Sequence, residues 1–260
     1  MSTASEFFFL FVIAVFGGVL NVTIGGAWFI VFPSLIYGGV QPVVGNATTM
    51  SVLLSSDITS SEVIKNGYEL SKKNFLYMAL SCSIGGLVGA LLLVSFSFTN
   101  FEHIAPYLLL CSWFLFTFYD RILAYVRLLT ADTSNFKYSH TMLFPIFLLG
   151  VYGGYFGAGM GMLIFVLCSY FGVKNDDTLK GLKLVLLCFN NGAALLIYIC
   201  SGLVFWPFAL IMITGVIVGG YVGVRIDTKI NKALLKKIMV VVGAVVTIYF
   251  LNLFNVKHML

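Results

Sequence analysis

Two stretches of this chain, Phe7 to Tyr37 and Met142 to Phe171, stay apolar for about thirty residues each, and glycines break both near the middle. One helical membrane span needs about 20 residues, so neither reads as a single ordinary crossing. The first is interrupted by Asn21-Val22-Thr23-Ile24-Gly25-Gly26, the second by Gly153-Gly154-Tyr155-Phe156-Gly157-Ala158-Gly159-Met160-Gly161. Six plain apolar runs accompany them: 46–64, 75–96, 104–119, 179–199, 205–224 and 238–254. They are apolar all round and much longer than the roughly ten-residue alternating strands of a membrane barrel, so helices are expected.

Composition excludes the other classes. Only 10% of the 260 residues are charged, 60% are hydrophobic and the mean hydropathy is +1.02. Soluble domains carry about 25% charged residues, so a water-soluble enzyme is excluded. With 25 Phe and 13 Tyr the chain is not disordered either. The expected fold is an all-α polytopic membrane protein of eight hydrophobic segments and up to ten helices. The net charge of +5 comes with no basic stripe on a nucleic-acid-binding fold, so no nucleic-acid partner is expected. Met1 to Glu6 lacks a basic leader, so no cleaved signal is expected. Cys82, Cys111, Cys168, Cys188 and Cys200 lie in apolar stretches without a CxxC. They read as buried small hydrophobes, with neither disulfide nor metal.

The order of segments repeats: one glycine-broken run, then three plain ones, twice. Gly17-Gly18 aligns with Gly153-Gly154 at an offset of 136, which sets Gly25 on Gly161. The expected halves are residues 1–120 and 140–260, with the polar stretch 121–139 as a cytoplasmic linker. Charge supports a hairpin at each broken run. If both runs enter and leave on one side, the inside set holds Lys65, Lys72, Lys73, Arg121, Arg127, Lys137, Lys174, Lys180, Lys183, Arg225, Lys229, Lys232, Lys236 and Lys237. Only Lys257 is left outside, so fourteen of fifteen cations share one face, as the positive-inside rule asks. The N-terminus is then outside, and the halves have opposite orientation. Inverted repeats with broken helices mark secondary transporters. Half-helix ends at a glycine hinge offer free N–H groups and a favourable dipole to an anion. Close helix packing is the competing explanation for these glycines, and the better one for Gly85/Gly89 and Gly215/Gly219/Gly223.

These residues resemble the TauE/SafE family of membrane transporters, the sulfite exporter-like permeases. The matching stretches are Thr23-Ile24-Gly25-Gly26, Pro33 and Gly45-Asn46-Ala47-Thr48 in the first half. In the second half they are Gly150 to Gly161, Gly181-Leu182-Lys183, Asn191, Ser201 to Pro207, and Gly219-Gly220-Tyr221-Val222-Gly223. The resemblance covers about 7–255. Ala27 and Trp28 depart from the family's glycine run, with a bulky indole narrowing the first hinge, and Phe205 stands where Asp is common. The resemblance implies transport of sulfite, sulfonates or related organic acids across the cell membrane, in a direction the family name does not specify.

Polar residues near the breaks are the candidate substrate ligands: Asn21, Thr23, Gly25, Gly26, Asn46, Thr48, Gly157, Gly159, Gly161, Lys183 and Asn191. Asn and Thr donate hydrogen bonds without the desolvation cost of a full charge. Asn46 or Thr48 could equally cap the following helix, Asn190 and Asn191 could lock helices together, and Lys183 could snorkel to the surface. Asp57 is the candidate coupling residue, because an ionised carboxylate in mid-span is expensive and one that exchanges a proton could drive anion movement. A structural Asp satisfied by Ser55 or Ser56 is the alternative. The partners expected are a small anion, protons or another coupling ion, and lipid. No cofactor and no ATP motif of the GxxxxGK[ST] kind is expected. An anion channel of the same architecture is the alternative function. An intramembrane redox enzyme is disfavoured, since His103, His140 and His258 lie at loops or ends.

Overall fold

The structure, a computed structural model, describes residues 3–63, 72–95, 98–130, 139–173, 175–227 and 229–256. Of the cations expected to mark the two faces, Lys65, Lys137, Lys174, Lys257 and the side chain of Lys72 lie outside the described residues. The described residues form ten α-helices and no strand: α1 (Thr3–Thr23), α2 (Trp28–Tyr37), α3 (Pro42–Val63), α4 (Lys72–Ser95), α5 (Phe98–Leu129), α6 (Leu143–Tyr155), α7 (Met160–Tyr170), α8 (Asp176–Cys200), α9 (Trp206–Ile226) and α10 (Lys232–Val256). Six of them, α1, α4, α5, α8, α9 and α10, are long and apolar enough to cross a membrane. Their outer faces expose Leu128, Val241, Val245 and Ile248 among many large apolar side chains. Such a surface suits lipid and not water. The protein is a multi-pass membrane protein.

The other expected segments differ. The run expected at 46–64 is a helix from Pro42, but it is polar, and it buries Thr48, Thr49, Ser51, Ser56, Asp57 and Ser60 inside the bundle. Many of its hydroxyls bond back along the helix, Thr48 to the Val44 carbonyl at 2.6 Å and Thr49 to that of Gly45 at 2.8 Å, which lowers the cost of burying them. The stretch after Tyr119 is also not all loop. α5 continues to Leu129, so the first part of 121–139 is helical. Cys82 and Cys168 are buried as expected, but Cys111 and Cys200 are exposed on the apolar outer surface.

Both broken runs are helical hairpins, built alike. At the end of α1 the N–H groups of Ile24 and Gly25 both donate to the Leu20 carbonyl, at 3.1 and 2.8 Å. At the end of α6, Phe156 and Gly157 do the same to Tyr152, at 2.9 and 3.2 Å. Gly25 and Gly157 are left-handed, with φ of 68° and 82°. This helix-ending turn favours glycine because it has no Cβ to clash. Gly25 therefore corresponds to Gly157, and α2 begins at 28 where α7 begins at 160, both an offset of 132. Further on, α3, α4 and α5 begin at 42, 72 and 98, and α8, α9 and α10 at 176, 206 and 232, a constant 134. The offset of 136 expected from Gly17-Gly18 is thus corrected. Gly153 and Gly154 lie within α6 as packing residues, and the turn itself is at 156–159.

Helix contacts repeat under exchange of α1–α5 with α6–α10. The two most extensive interfaces are α1 on α9 and its counterpart α6 on α4, and α3 on α9 matches α8 on α4. Glycine brings the backbones together in both. A Cβ on Gly219 would lie 2.0 Å from the Val15 carbonyl oxygen, and one on Gly89 2.1 Å from that of Val151. The packing explanation holds for Gly85, Gly89, Gly215, Gly219 and Gly223, and extends to Gly18, Gly150 and Gly154.

Charge gathers at one end. Lys236 reaches Asp120 at 2.6 Å, Arg127 Asp176 at 2.5 Å, and Asp227 accepts from Lys232 at 2.8 Å and Lys180 at 3.3 Å. The end of α5, the start of α8 and the α9–α10 turn therefore meet on one face. At the other end of α1, Glu6 and Phe9 lie beside Tyr37 and Gly38 at the end of α2, so the first hairpin closes on itself there.

Candidate functional site

The two hinges face each other across a cavity of about 50 Å³, where one water needs about 10–15 Å³ on the same scale. That is room for a small ion, not for a drug-sized molecule. Its walls come from both halves: Asn21, Gly25 and Gly26 at the first hinge, Gly157, Gly159 and Gly161 at the second, Asp57 on α3, and Lys183 and Asn191 on α8. α2 and α7 start at this cavity, and neither first turn has a side-chain cap. Their N-terminal amides thus leave the positive ends of two short helices at the cavity.

A charged network holds the centre. Asn21 Nδ2 donates to Asp57 Oδ1 at 2.7 Å, and Asn191 Nδ2 donates to Asp57 Oδ2 at 3.1 Å. Asp57 is 1% exposed. Lys183 Nζ donates to the backbone carbonyl of Asn21 at 3.3 Å and is also buried, at 7%. Asn21 therefore stands between the two charges, and they form no direct ion pair among the described residues. With the offset of 134, Asp57 and Asn191 occupy the same station in the two repeats and meet across the junction. Glycine makes room for the lysine. A Cβ on Gly25 would sit 3.9 Å from Nζ, and one on Gly161 3.2 Å from Cδ. Lys183 does not snorkel outward, since α8 starts at Asp176 and places it two turns deep, against the first hinge.

Beside the cavity lies a vestibule of about 320 Å³, with Gly25, Gly161, Met162 and Lys183 shared between the walls of the two. Thr23, Phe116, Tyr119, Phe165, Lys180 and Lys232 line the vestibule, which lies at the ion-paired end. Away from it, Trp28 stacks on Phe32 with ring centres 4.2 Å apart, and Phe156 lies 4.5 Å from the indole. Phe101 and Phe250 continue this aromatic cluster, at 6.1 Å from Phe156 and 5.5 Å from Phe32.

Three expected ligands stand elsewhere. Thr23 lines the vestibule only, its hydroxyl bonded to the Val19 carbonyl at 2.9 Å. Asn46 lies inside α3 and not at its cap, and it ties the hairpin by donating to the Tyr155 carbonyl at 3.0 Å. Thr48 accepts the backbone N–H of Phe205 at 3.0 Å and so anchors the start of α9. Neither lines the cavity, because each side chain faces a neighbouring helix. Asn190 is the interhelical lock. With its amide nitrogen turned to them it donates to the Cys82 and Gly150 carbonyls at 3.2 and 3.0 Å. Met50, Leu53, Met162 and Leu187 also line the cavity, beyond the residues expected from sequence. The signal was helical spacing. Met50, Leu53 and Asp57 share one face of α3, and Lys183, Leu187 and Asn191 share one face of α8. Among the described residues no three His, Cys, Asp or Glu side chains are grouped to hold a metal.

No solved structure matches the chain. A protein of Haemophilus influenzae described as "Probable membrane transporter protein" is 20% identical over 241 residues, 92% of this chain and 91% of its own length. "Probable membrane transporter protein YfcA" of Escherichia coli K12 is 25% identical over 245 residues, 92% of this chain and 87% of that one. The family model described as "Sulfite exporter TauE/SafE" matches residues 10–250, which takes in both hinges and every residue of the cavity. The chain belongs to the TauE/SafE sulfite exporter family.

Proposed function

We propose that this protein is a secondary transporter that moves a small sulfur-containing anion, such as sulfite or a sulfonate, across the cytoplasmic membrane. The observation that carries this reading is the buried Lys183 and Asp57, joined through Asn21 in an ion-sized cavity at the meeting point of two glycine-broken hairpins. Residues 1–120 and 140–260 are taken as inverted repeats joined by the cytoplasmic linker 121–139, with the N-terminus outside. The gathered cations support placing the ion-paired face in the cytoplasm. The arrangement is then read as an inward-facing state, with the aromatic cluster around Trp28 and Phe156 as the closed outer side. Alternating access follows if the repeats exchange conformations around the fixed centre.

The charges supply a coupling logic. With Asp57 protonated, the Lys183 charge is left for the anion, aided by the two helix N-termini and by Asn21 and Asn191. When Asp57 gives up its proton, its carboxylate takes the place of the anion as the counter-charge, and the anion leaves. Anion and proton therefore travel together. The test is accumulation of sulfite in proteoliposomes with and without a pH gradient. Asp57→Asn should still exchange sulfite across the membrane and lose pH-driven accumulation. Unchanged pH-driven accumulation in a folded Asp57→Asn protein overturns the coupling, and a linear ohmic current in place of accumulation overturns the transporter reading in favour of a channel.

A further inference from the structure

Trp28 is the first residue of α2 and one of the residues that line the cavity. It is 3% exposed, and its Nε1–H has no hydrogen-bond partner among the described residues. The contrast with Trp113 is direct, since that indole donates to the Val240 carbonyl at 2.8 Å. A buried indole N–H is normally paired, because leaving a donor dry is costly. The ring itself is held, stacked on Phe32 with the planes 22° apart and flanked by Phe156. A buried, unpaired donor on a packed ring beside the cavity can be satisfied by an acceptor that arrives with a ligand.

We infer that Trp28 is a specificity-determining residue of the anion site, donating its indole N–H to an oxygen of the bound anion. This rests on the anion-transport reading and adds a residue to it. Indole can only donate. So can Lys183 Nζ and the backbone amides of Trp28 and Gly161 at the starts of α2 and α7, which line the same space. This side of the cavity therefore favours a group with bare acceptor oxygens, such as a sulfonate head, over one that presents an O–H to the wall. The indole that narrows the first hinge thus has a second role as a neutral donor, which holds an anion without adding a charge that would retain it.

Calorimetric titration of the purified full-length chain in detergent, with sodium sulfite and sodium methanesulfonate, tests this. Trp28→Phe keeps an aromatic ring between Phe32 and Phe156 and has no N–H. It should weaken anion binding about ten- to hundredfold, the loss expected for a hydrogen bond to a charged group. If Trp28→Phe does not fold, 3-benzothienylalanine at position 28 keeps the bicyclic ring with sulfur in place of N–H and should give the same loss. In a Trp113→Phe/Trp206→Phe background, emission from Trp28 should shift on adding the anion, which a purely packing role would not produce. Lys183→Gln is the control for the site. Weakened binding in Lys183→Gln with unchanged Kd in a folded Trp28 variant overturns the role of Trp28 and leaves the anion site standing. A wild-type chain that binds neither anion overturns both.

Discussion

Asp57→Asn removes the negative partner of a buried cation while keeping the shape of the side chain. Asp57 accepts from Asn21 at 2.7 Å and from Asn191 at 3.1 Å, and an asparagine there keeps one carbonyl oxygen, so one bond survives. The other oxygen becomes an amide that faces a donor. Losing a hydrogen bond to a charged group costs about 1.5–3 kcal/mol. Lys183 also loses its counter-charge. Breaking a direct buried pair costs about 3–5 kcal/mol, but here Asn21 stands between the charges. We therefore expect about 2 kcal/mol from the charge and about 4 kcal/mol in all. For a chain of this size that lowers the melting temperature by about 8–16 °C. The assay is a double-mutant cycle with Lys183→Gln, read by thermal unfolding in detergent. Lys183→Gln in the Asp57→Asn background should restore about half of the loss, because no unpaired charge remains. Sulfite should raise the melting temperature of Asp57→Asn more than that of the wild type, since the anion replaces the missing carboxylate. Additive single effects, within about 0.5 kcal/mol, would refute the idea that these two charges balance each other.

Gly219→Val should abolish folded yield. Its Cβ would start 2.0 Å from the Val15 carbonyl oxygen, where ordinary contact begins at 3.4 Å, whereas Gly192→Ala has nothing within 4 Å and should be tolerated in the same expression assay. Asn190→Leu should lower thermal stability by about 1–3 kcal/mol through the loss of its bonds to Cys82 and Gly150, yet leave anion affinity by calorimetry unchanged. In a cysteine-free background, a thiol at exposed Gln41 should react with an impermeant reagent in intact cells, and one at exposed Lys229 only after permeabilisation. The reverse pattern would invert the proposed topology.

The sequence alone determined the class, the helices and the two breaks, because apolar length and glycine act locally. Thirty apolar residues cannot make one ordinary span, and the glycines at 25 and 157 mark where the chain turns left-handed. Asp57, Lys183 and Asn191 were also legible, since a polar group in an apolar run stands out by its cost. What sequence could not decide was direction and partnership. Asn46 and Thr48 look like Asn21 in composition, yet they tie helices together while Asn21 faces the cavity. Gly153 and Gly154 look like hinge glycines, yet they pack inside α6. The register between repeats, 132 at the hinges and 134 beyond, appears only once helix starts are known. It is this register that pairs Asp57 with Asn191. Which side of a helix meets water, lipid or another helix is set by neighbours distant in the chain. Only the tertiary packing of α1, α3 and α8 therefore made one site from residues 36 and 134 positions apart.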